Sequence, residues 1–357
     1  MIRSLIQILF GFLYQLFAFV FSFFARKKGV KLSHPGKTLF YYSGDNAFIG
    51  FVDPIIEYWK QAYQLPVEFV ISESSPNREV RRSFFGWCAY FQSKKFRTII
   101  FLNPNYRTDR KQKLAAWLMR TPHRVGFTPS KNFDYLNISL FFNIQNGHYL
   151  HQLKNLLEYA TVTKIKLEPI LYSESTVKRN HLKAKTNESI LIALDANMLD
   201  PLETENISKL INLLSRTFSI DLLLSGQDAA RIAARKISHP LTDHALSILN
   251  PVVDATQNEI SLLIQQCTLA TGNDYASLIE ASQRQIPTIS FFSSLNERIW
   301  QPFSNKSRAM TVDLPCRPCQ KFPDLPIECK HSEIWACRHK IPAEIVYANI
   351  LSILNKE

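Results

Sequence analysis

From residue 37 onward, short apolar runs alternate with longer stretches in which apolar residues recur every three or four positions. The short runs predict β-strands, as at 38–43 (TLFYYS) and 189–194 (SILIAL), and the longer stretches predict amphipathic helices, as at 54–63 and 203–215. Alternating strands and helices are typical of α/β proteins with parallel sheets. Further strands are predicted at 67–71, 98–102, 124–127, 221–224, 268–271 and 288–292, and further helices at 111–119, 149–159, 227–235, 260–266, 275–283 and 342–354.

The alternation is interrupted between residues 173 and 188, where the chain is polar, charged and without apolar periodicity, which predicts a linker. A chain of 357 residues also exceeds what one hydrophobic core usually holds, so two domains are expected. Two similar α/β domains would face a central cleft, and ligands of such folds bind beyond the carboxyl ends of strands. The predicted segments are a membrane anchor with basic flank (1–36), an amino-terminal domain (37–175), a linker (176–188), a carboxyl-terminal domain (189–341) and a final helix (342–357).

The amino-terminal segment 4–25 is apolar and carries no formal charge. Its length suits a helix that crosses a bilayer, which takes about 20 residues. Gln7 and Gln15 lie on one helical face, so a helix lying in the membrane interface is the alternative. The run is too long for a cleaved signal peptide and has no small-residue cleavage site. Because the cations of 26–28 follow it, the positive-inside rule predicts that the globular part faces the cytoplasm.

The chain is strongly basic, with 42 Lys and Arg against 30 Asp and Glu, a net charge of +12 and a pI near 9.4. Such a balance favours a polyanionic partner. No nucleic-acid-binding module is recognisable, so an anionic membrane surface or a phosphate-bearing acceptor is expected rather than nucleic acid. The sequence also lacks the glycine-rich dinucleotide and P-loop motifs and the signatures of zinc proteases and α/β-hydrolases.

A polar pair, Asn273 and Asp274, follows the predicted strand at 268–271 and precedes a predicted helix. A strand-to-helix turn of this kind offers a carboxylate and unpaired backbone N–H groups, which suit sugar hydroxyls and phosphate oxygens. The alternative interpretation is that Asp274 only caps the helix, because Asp is a preferred N-cap residue.

The sequence around this turn resembles the donor-binding signature of glycosyltransferase family 9, the ADP-heptose:lipopolysaccharide heptosyltransferases. Asp274 and Pro287 keep the family's thirteen-residue spacing between an Asp and a Pro. The amino-terminal half agrees with the family at its first loop and helix and at its acceptor-side strands. The resembling segments there are 47–50, 58–63, 96–100 and 124–127 (RVGF), and the match runs from about residue 38 to 350.

This resemblance implies a GT-B architecture of two Rossmann-like domains facing a central cleft. It implies an inverting transfer, with no cofactor required for catalysis, of a sugar from a nucleotide-sugar donor, namely heptose from ADP-heptose. The acceptor would be a lipopolysaccharide core or related lipid-linked saccharide at the cytoplasmic face of the bacterial inner membrane. The implied donor-binding residues are Asp195, Asn273, Asp274, Tyr275 and Ala276, the acceptor-binding residues are Arg107, Arg110 and Lys111, and the base is Asp53 or Asp45.

Several family positions carry other residues here. The family's proposed general base falls on Phe51, the Gly after its donor-loop Asp falls on Ala276, and its His falls on Ile279. Its phosphate-contacting Lys is expected between residues 195 and 207, and this segment contains no Lys or Arg. An inverting transfer needs a carboxylate base, and it needs cations or N–H groups that stabilise the negative charge of the leaving diphosphate. A catalytically inactive, membrane-tethered homologue that acts as a binding or scaffold protein is therefore the alternative function.

Four cysteines near the carboxyl end are spaced C-x2-C-x9-C-x7-C, at Cys316, Cys319, Cys329 and Cys337. The spacing is compatible with a structural zinc ion, for which His331 or His339 could replace one thiol. Reduced or redox-active thiols are a second interpretation, and disulfides, which a cytoplasmic location disfavours, are a third. Cys88 and Cys267 are predicted to be core residues.

Overall fold

The computed structural model describes residues 32, 35–43, 46–71, 84–105, 109–128, 135–145, 147–161, 163–165, 188–325, 327–329 and 331–355. The predicted membrane segment 4–25, its basic flank and almost all of the predicted linker lie outside these described residues. Within them, no helix combines the length and the apolar character that crossing a bilayer requires.

The first structural unit contains a five-stranded parallel sheet in the order β2-β1-β3-β4-β5. Its described residues lie before position 45 and within 52–144 and 149–167. The strands are β1 (Thr38–Tyr42), β2 (Val67–Ile71), β3 (Thr98–Phe101), β4 (His123–Thr128) and β5 (Ile138–Phe141). The helices are α1 (Asp53–Tyr63), α2 (Phe84–Lys94), α3 (Arg110–Leu118) and α4 (Tyr149–Thr161).

Helices cover both faces of this sheet, which is why β1 is buried along its whole length. Phe40 points to one face and packs edge-on against Trp59 of α1, with ring centroids 5.7 Å apart. The next residue, Tyr41, points to the opposite face and packs edge-on against Trp87 of α2, at 5.1 Å. Successive side chains of a strand alternate between faces, so a continuous apolar run identifies a central strand.

The second unit contains a six-stranded parallel sheet in the order β11-β10-β9-β6-β7-β8. The strands are β6 (Ser189–Asp195), β7 (Ser219–Ser225), β8 (Leu249–Val253), β9 (Leu269–Gly272), β10 (Thr288–Phe292) and β11 (Ser307–Thr311). The helices are α5 (Pro201–Leu214), α6 (Asp228–Ser238), α7 (Asp243–Ile248), α8 (Gln257–Gln266), α9 (Tyr275–Gln283), α10 (Glu297–Trp300), α11 (Ala336–His339) and α12 (Ala343–Ile353). The predicted α/β class with two parallel sheets is confirmed.

The core of the second unit has two layers, one on each face of the sheet. Ile190, Ile192 and Leu194 of β6 pack into one layer with α5, α6 and α12, while Leu191 and Ala193 pack into the other with α8 and α9. The final helix, predicted as a separate segment, thus contributes to the core of this unit.

Two short segments from the first half of the chain, 45–51 and 145–148, belong to the second unit. Residues Asn46–Phe51 form a short 3-10 helix, and the Phe48 ring lies 5.5 Å from that of Tyr275. In the other segment, a ring nitrogen of His148 lies 2.7 Å from the carbonyl oxygen of Gln301. The boundaries expected from the sequence place both segments in the amino-terminal domain. The difference arises because those boundaries were drawn by position along the chain, whereas Phe48 and His148 pack against residues of the second unit.

Candidate functional site

The direction of chain winding reverses in the second sheet between β6 and β9. From β6 the chain adds β7 and β8 on one side, and then returns to place β9 on the other side of β6. In open parallel sheets, the crevice beyond the carboxyl ends of the strands at such a reversal is the usual ligand site. β6 ends at Asp195 and β9 ends at Gly272, so the predicted donor-binding residues lie at this reversal.

Hydrogen bonds fasten the end of β9 to the end of β6. The carbonyl oxygen of Ala193 accepts hydrogen bonds from the N–H groups of Asn273 and Asp274, each at 3.1 Å. The side-chain oxygen of Asn273 accepts one from the N–H of Asp195 at 2.9 Å. This closeness requires Gly272, whose φ is +140° and whose added Cβ would lie 1.9 Å from the carbonyl oxygen of Ala193. The structure thus brings Asp195, Asn273 and Asp274 together.

Asp274 is the N-cap residue of α9, as the simpler sequence interpretation has it. Its carboxylate accepts hydrogen bonds from the N–H of Ser277 at 3.4 Å and from the Ser277 hydroxyl at 3.3 Å. The N–H of Ala276, expected to contact a donor, also donates to this carboxylate. Burial raises the pKa of Asp274, and the charge of Asp195 acts in the same direction. The residue as a whole is half-buried.

The Tyr275 side chain anchors α9 to the sheet. Its ring stacks on that of Phe292 with centroids 4.8 Å apart, and its hydroxyl donates to the carbonyl oxygen of Phe291 at 3.0 Å. Burial raises the pKa of Tyr275 well above its usual value. The contribution that remains predicted for Tyr275 in ligand binding is that of its backbone N–H.

Of the two base candidates, Asp45 lies outside the described residues and Asp53 is the first residue of α1. Burial, followed by the neighbouring charge of Glu57, raises the pKa of Asp53 to about 6, with Lys60 acting in the opposite direction. A carboxylate with a pKa of about 6 is mostly ionised at neutral pH and is a stronger base than an ordinary Asp. Asp53 thus has the ionisation expected of a general base.

The acceptor candidates lie around the start of α3. Arg107 is outside the described residues, whereas Arg110 and Lys111 are exposed in the first turn of the helix. The residue before them, Asp109, is fully buried and accepts a hydrogen bond from the Ser43 hydroxyl, which in turn accepts one from the side-chain amide of Asn103 at 3.3 Å. Ser43 and Asn103 follow the ends of β1 and β3, where the winding of the first sheet reverses, so this polar cluster positions the start of α3.

Sequence reasoning missed Glu203, which contacts the turn of residues 273–276 (the donor turn), and Arg338, whose charge acts on Glu203. Glu203 is only 5% exposed, and the side-chain amide of Asn273 donates to its Oε1 at 3.5 Å. Burial raises the pKa of Glu203 to about 7, with the nearby positive charge of Arg338 acting to lower it. Arg338 comes from the Cys-rich end of the chain, so no local motif could have assigned it to this turn.

The four clustered cysteines line one cavity of about 280 Å³, together with Glu328, His331 and Trp335. All four thiols are free. Within the described residues, no three Cys, His, Asp or Glu side chains are arranged to hold a metal ion, so structural zinc here stays a prediction. Burial raises the pKa of Cys319 and of Cys337, and the neighbouring thiols add to both effects.

No protein-family model matches this sequence, and no curated protein sequence matches it. Solved structures do resemble the fold. ADP-heptose lipopolysaccharide heptosyltransferase II of E. coli has a TM-score of 0.63 at 13% identity, over 89% of this chain and 98% of that one. A family 9 glycosyltransferase from Veillonella parvula has a TM-score of 0.63 at 14% identity, over 91% and 99%. E. coli heptosyltransferase WaaC with ADP-2-deoxy-2-fluoro heptose has a TM-score of 0.57 at 10% identity, over 88% and 99%.

The chain has the GT-B fold of glycosyltransferase family 9. Two positions at which the resemblance expects polar family residues are apolar and buried. Phe51 is 2% exposed, and its ring lies edge-on 5.0 Å from that of His148. Ile279 is fully buried, and its Cγ2 would lie 2.7 Å from a Cβ added to Gly50. The first loop and α9 therefore meet closely at Gly50 and Ile279.

Proposed function

We propose that this protein is a glycosyltransferase that binds a nucleotide-sugar donor at the carboxyl ends of β6 and β9. The observation that supports this most directly is the polar turn of Asn273 and Asp274, fastened to Asp195 at the winding reversal of a family 9 fold. The similar protein WaaC is a heptosyltransferase whose structures contain ADP and an ADP-heptose analogue. A donor with a diphosphate and a sugar fits a site that offers carboxylates and backbone N–H groups.

The proposed reaction is an inverting transfer of heptose from ADP-heptose to a lipopolysaccharide core or related lipid-linked acceptor. The acceptor hydroxyl oxygen forms a bond to the anomeric carbon, its proton passes to Asp53, and the bond from that carbon to the diphosphate breaks, releasing ADP. A base with a pKa of about 6 suits this proton transfer. Arg107, Arg110 and Lys111 would bind acidic groups of the acceptor, with no metal ion needed for catalysis.

The proposed location is the cytoplasmic face of the bacterial inner membrane. The apolar segment 4–25 would attach the protein, and the cations that follow it would contact the anionic membrane surface. This location suits a lipid-linked acceptor, because the enzyme and its acceptor would both be attached to the same membrane surface.

The second candidate function is a catalytically inactive homologue that binds a partner or a saccharide without transfer. The apolar, buried side chains of Phe51 and Ile279 favour it, because they occupy positions where family 9 has an acidic residue and a His. The intact donor turn and the raised pKa of Asp53 favour catalysis instead.

A donor panel tests the proposed function. Purified protein is titrated with ADP-heptose, UDP-glucose, UDP-N-acetylglucosamine and GDP-mannose by calorimetry, and transfer to a deacylated lipopolysaccharide core is followed by mass spectrometry. Binding of one donor with transfer supports the enzyme, and binding without transfer supports the inactive homologue. The absence of binding by all donors would refute the proposed donor site.

A further inference from the structure

The Cys-rich segment, residues 316–339, contacts the loop that follows β10. Arg317 donates hydrogen bonds to the carbonyl oxygen of Leu295 at 3.4 Å and to the carboxylate of Glu297 at 3.3 Å. The backbone N–H of Gln320 donates to the carbonyl oxygen of Ser294 at 3.0 Å. Since β10 is one neighbour of β9, these contacts fix the segment on one side of the donor turn.

The same segment also contacts the loop that follows β6, the other neighbour of β9. Arg338 Nη1 donates to the carbonyl oxygen of Met198 at 2.8 Å. A ring nitrogen of His339 lies 3.4 Å from the carboxylate of Asp200, the N-cap residue of α5. The Cys-rich segment therefore reaches the loops on both sides of the strand that carries the donor turn.

The two arginines of this segment differ in how many of their donors are used. Arg317 makes hydrogen bonds through Nε, Nη1 and Nη2 to backbone oxygens and pairs with Glu297, so each of its three nitrogens has an oxygen partner. In Arg338 only Nη1 makes a short hydrogen bond. Its Nε is buried and has no hydrogen-bond partner among the described residues, and its Nη2 makes only a long hydrogen bond to the Met198 sulfur at 3.8 Å.

The edge formed by Nε and Nη2 is the edge with which a guanidinium binds two oxygens of one phosphate group. One face of this guanidinium lies 3.8 Å from the ring centroid of Trp335, which holds the group in place. Its positive charge also acts on the carboxylate of Glu203, which accepts a hydrogen bond from Asn273 of the donor turn. Arg338 therefore combines a position fixed by Trp335 and Met198 with two donors that make no hydrogen bond to an oxygen of the described residues.

The loop from β6 to α5 has no cation of its own, since it reads Asp195-Ala-Asn-Met-Leu-Asp-Pro-Leu202. A leaving diphosphate carries negative charge that the enzyme must stabilise. We propose that Arg338 binds the diphosphate of the donor through its Nε and Nη2, and so supplies from the Cys-rich segment the charge that the β6–α5 loop lacks. This inference rests on the proposed function, because it concerns the same donor.

Calorimetry on the full-length protein tests it, with ADP, GDP, UDP and inorganic pyrophosphate as probes. For the nucleoside diphosphate that binds wild type most tightly, Arg338→Gln should weaken binding about 10- to 100-fold, the range expected for charge-assisted hydrogen bonds. Pyrophosphate affinity should fall by a similar factor, whereas affinity for the neutral nucleoside should stay the same. Arg338→Lys should lose less, because it keeps the charge but not the fork.

Arg308→Gln is the matched control, since it removes one positive charge from an exposed side chain on β11 that pairs with Asn349. It should leave every affinity within about twofold of wild type. Circular dichroism checks that the variants fold. If Arg338→Gln does not fold, Arg338→Lys replaces it in the test, and a diphosphate affinity of Arg338→Lys equal to that of wild type would overturn the inference. Wild-type affinity in a folded Arg338→Gln overturns it and leaves the proposed function standing. Failure of wild-type protein to bind any diphosphate overturns both.

Discussion

Replacement of Glu203 by Gln should make the stability of the second unit less sensitive to pH. Glu203 lies in the first turn of α5, is 5% exposed and receives a hydrogen bond from the Asn273 side-chain amide on Oε1. Its Oε2 has no hydrogen-bond partner among the described residues. Gln has nearly the same shape and keeps an oxygen for Asn273, but it never ionises.

The direction and the size of the change in stability follow from the pKa of Glu203, which burial raises from 4.5 to about 7. Between these values the folded protein binds more protons than the unfolded chain, so the free energy of unfolding falls as the pH rises through this window. A shift from 4.5 to about 7 corresponds to about 3 kcal/mol. Glu203→Gln should therefore resemble wild type in stability at pH 4.5 and exceed it by up to about 3 kcal/mol at pH 8.5.

Hydrogen exchange measured by mass spectrometry on peptides from β6 and α5 checks this prediction. Comparing variant and wild type at the same pH cancels the intrinsic pH dependence of exchange. Glu205→Gln is the control, because Glu205 lies on the same helix but is exposed and pairs with Lys209 at 2.8 Å. A stability difference between Glu203→Gln and wild type that does not change from pH 4.5 to pH 8.5 would refute the reasoning.

Three further predictions concern other residues. Asp53→Asn should lower kcat by about 10²- to 10⁴-fold without changing donor affinity, and wild-type kcat/KM should rise with pH through about 6, because the base must lose its proton; a pH-independent rate would exclude Asp53. Gly272→Ala should destabilise the protein by at least about 3 kcal/mol in urea unfolding, since its Cβ would collide with the Ala193 carbonyl oxygen; an unchanged midpoint would contradict this. Iodoacetamide at pH 8 should label exposed Cys319 first and Cys267 last, as burial raises the pKa of Cys267 to about 12; peptide mass spectrometry gives the order, and the reverse order would contradict it.

The central strands could be predicted because their residues are buried on both faces. Among the central strands, β10 has the predicted bounds and β6 differs by one residue. The edge strand β2 also has the predicted bounds, because four of its five residues are apolar. The strands without a sequence prediction, β5, β8 and β11, are all edge strands. Edge strands have one unpaired side and partly exposed faces, so they need no continuous apolar run, and β8 even contains a Pro. The aromatic α2 was missed because its apolar residues do not follow one helical period: Trp87 and Phe91 lie in the core, whereas Phe85 is 80% exposed.

The donor turn could be identified from the sequence because strand, turn and helix follow one another in the chain. Its partners could not. Arg338 lies 140 positions from the Met198 carbonyl that it contacts, and Phe48 reaches Tyr275 from the other half of the sequence. From the sequence, Asp274 could be a helix N-cap or a donor-binding residue, and only the geometry established that it caps α9.

By itself the sequence determined the alternation of strands and helices and the polar turn after β9, since these depend on neighbouring residues and on the periodicity of burial. Only the tertiary structure decided which distant side chains surround that turn. The order of strands in the sheet brings Asp195 beside Asn273, and packing brings Glu203 and Arg338 to the same place. The pKa of Glu203 depends on that burial, because removing a carboxylate from water raises its pKa wherever the residue stands in the chain.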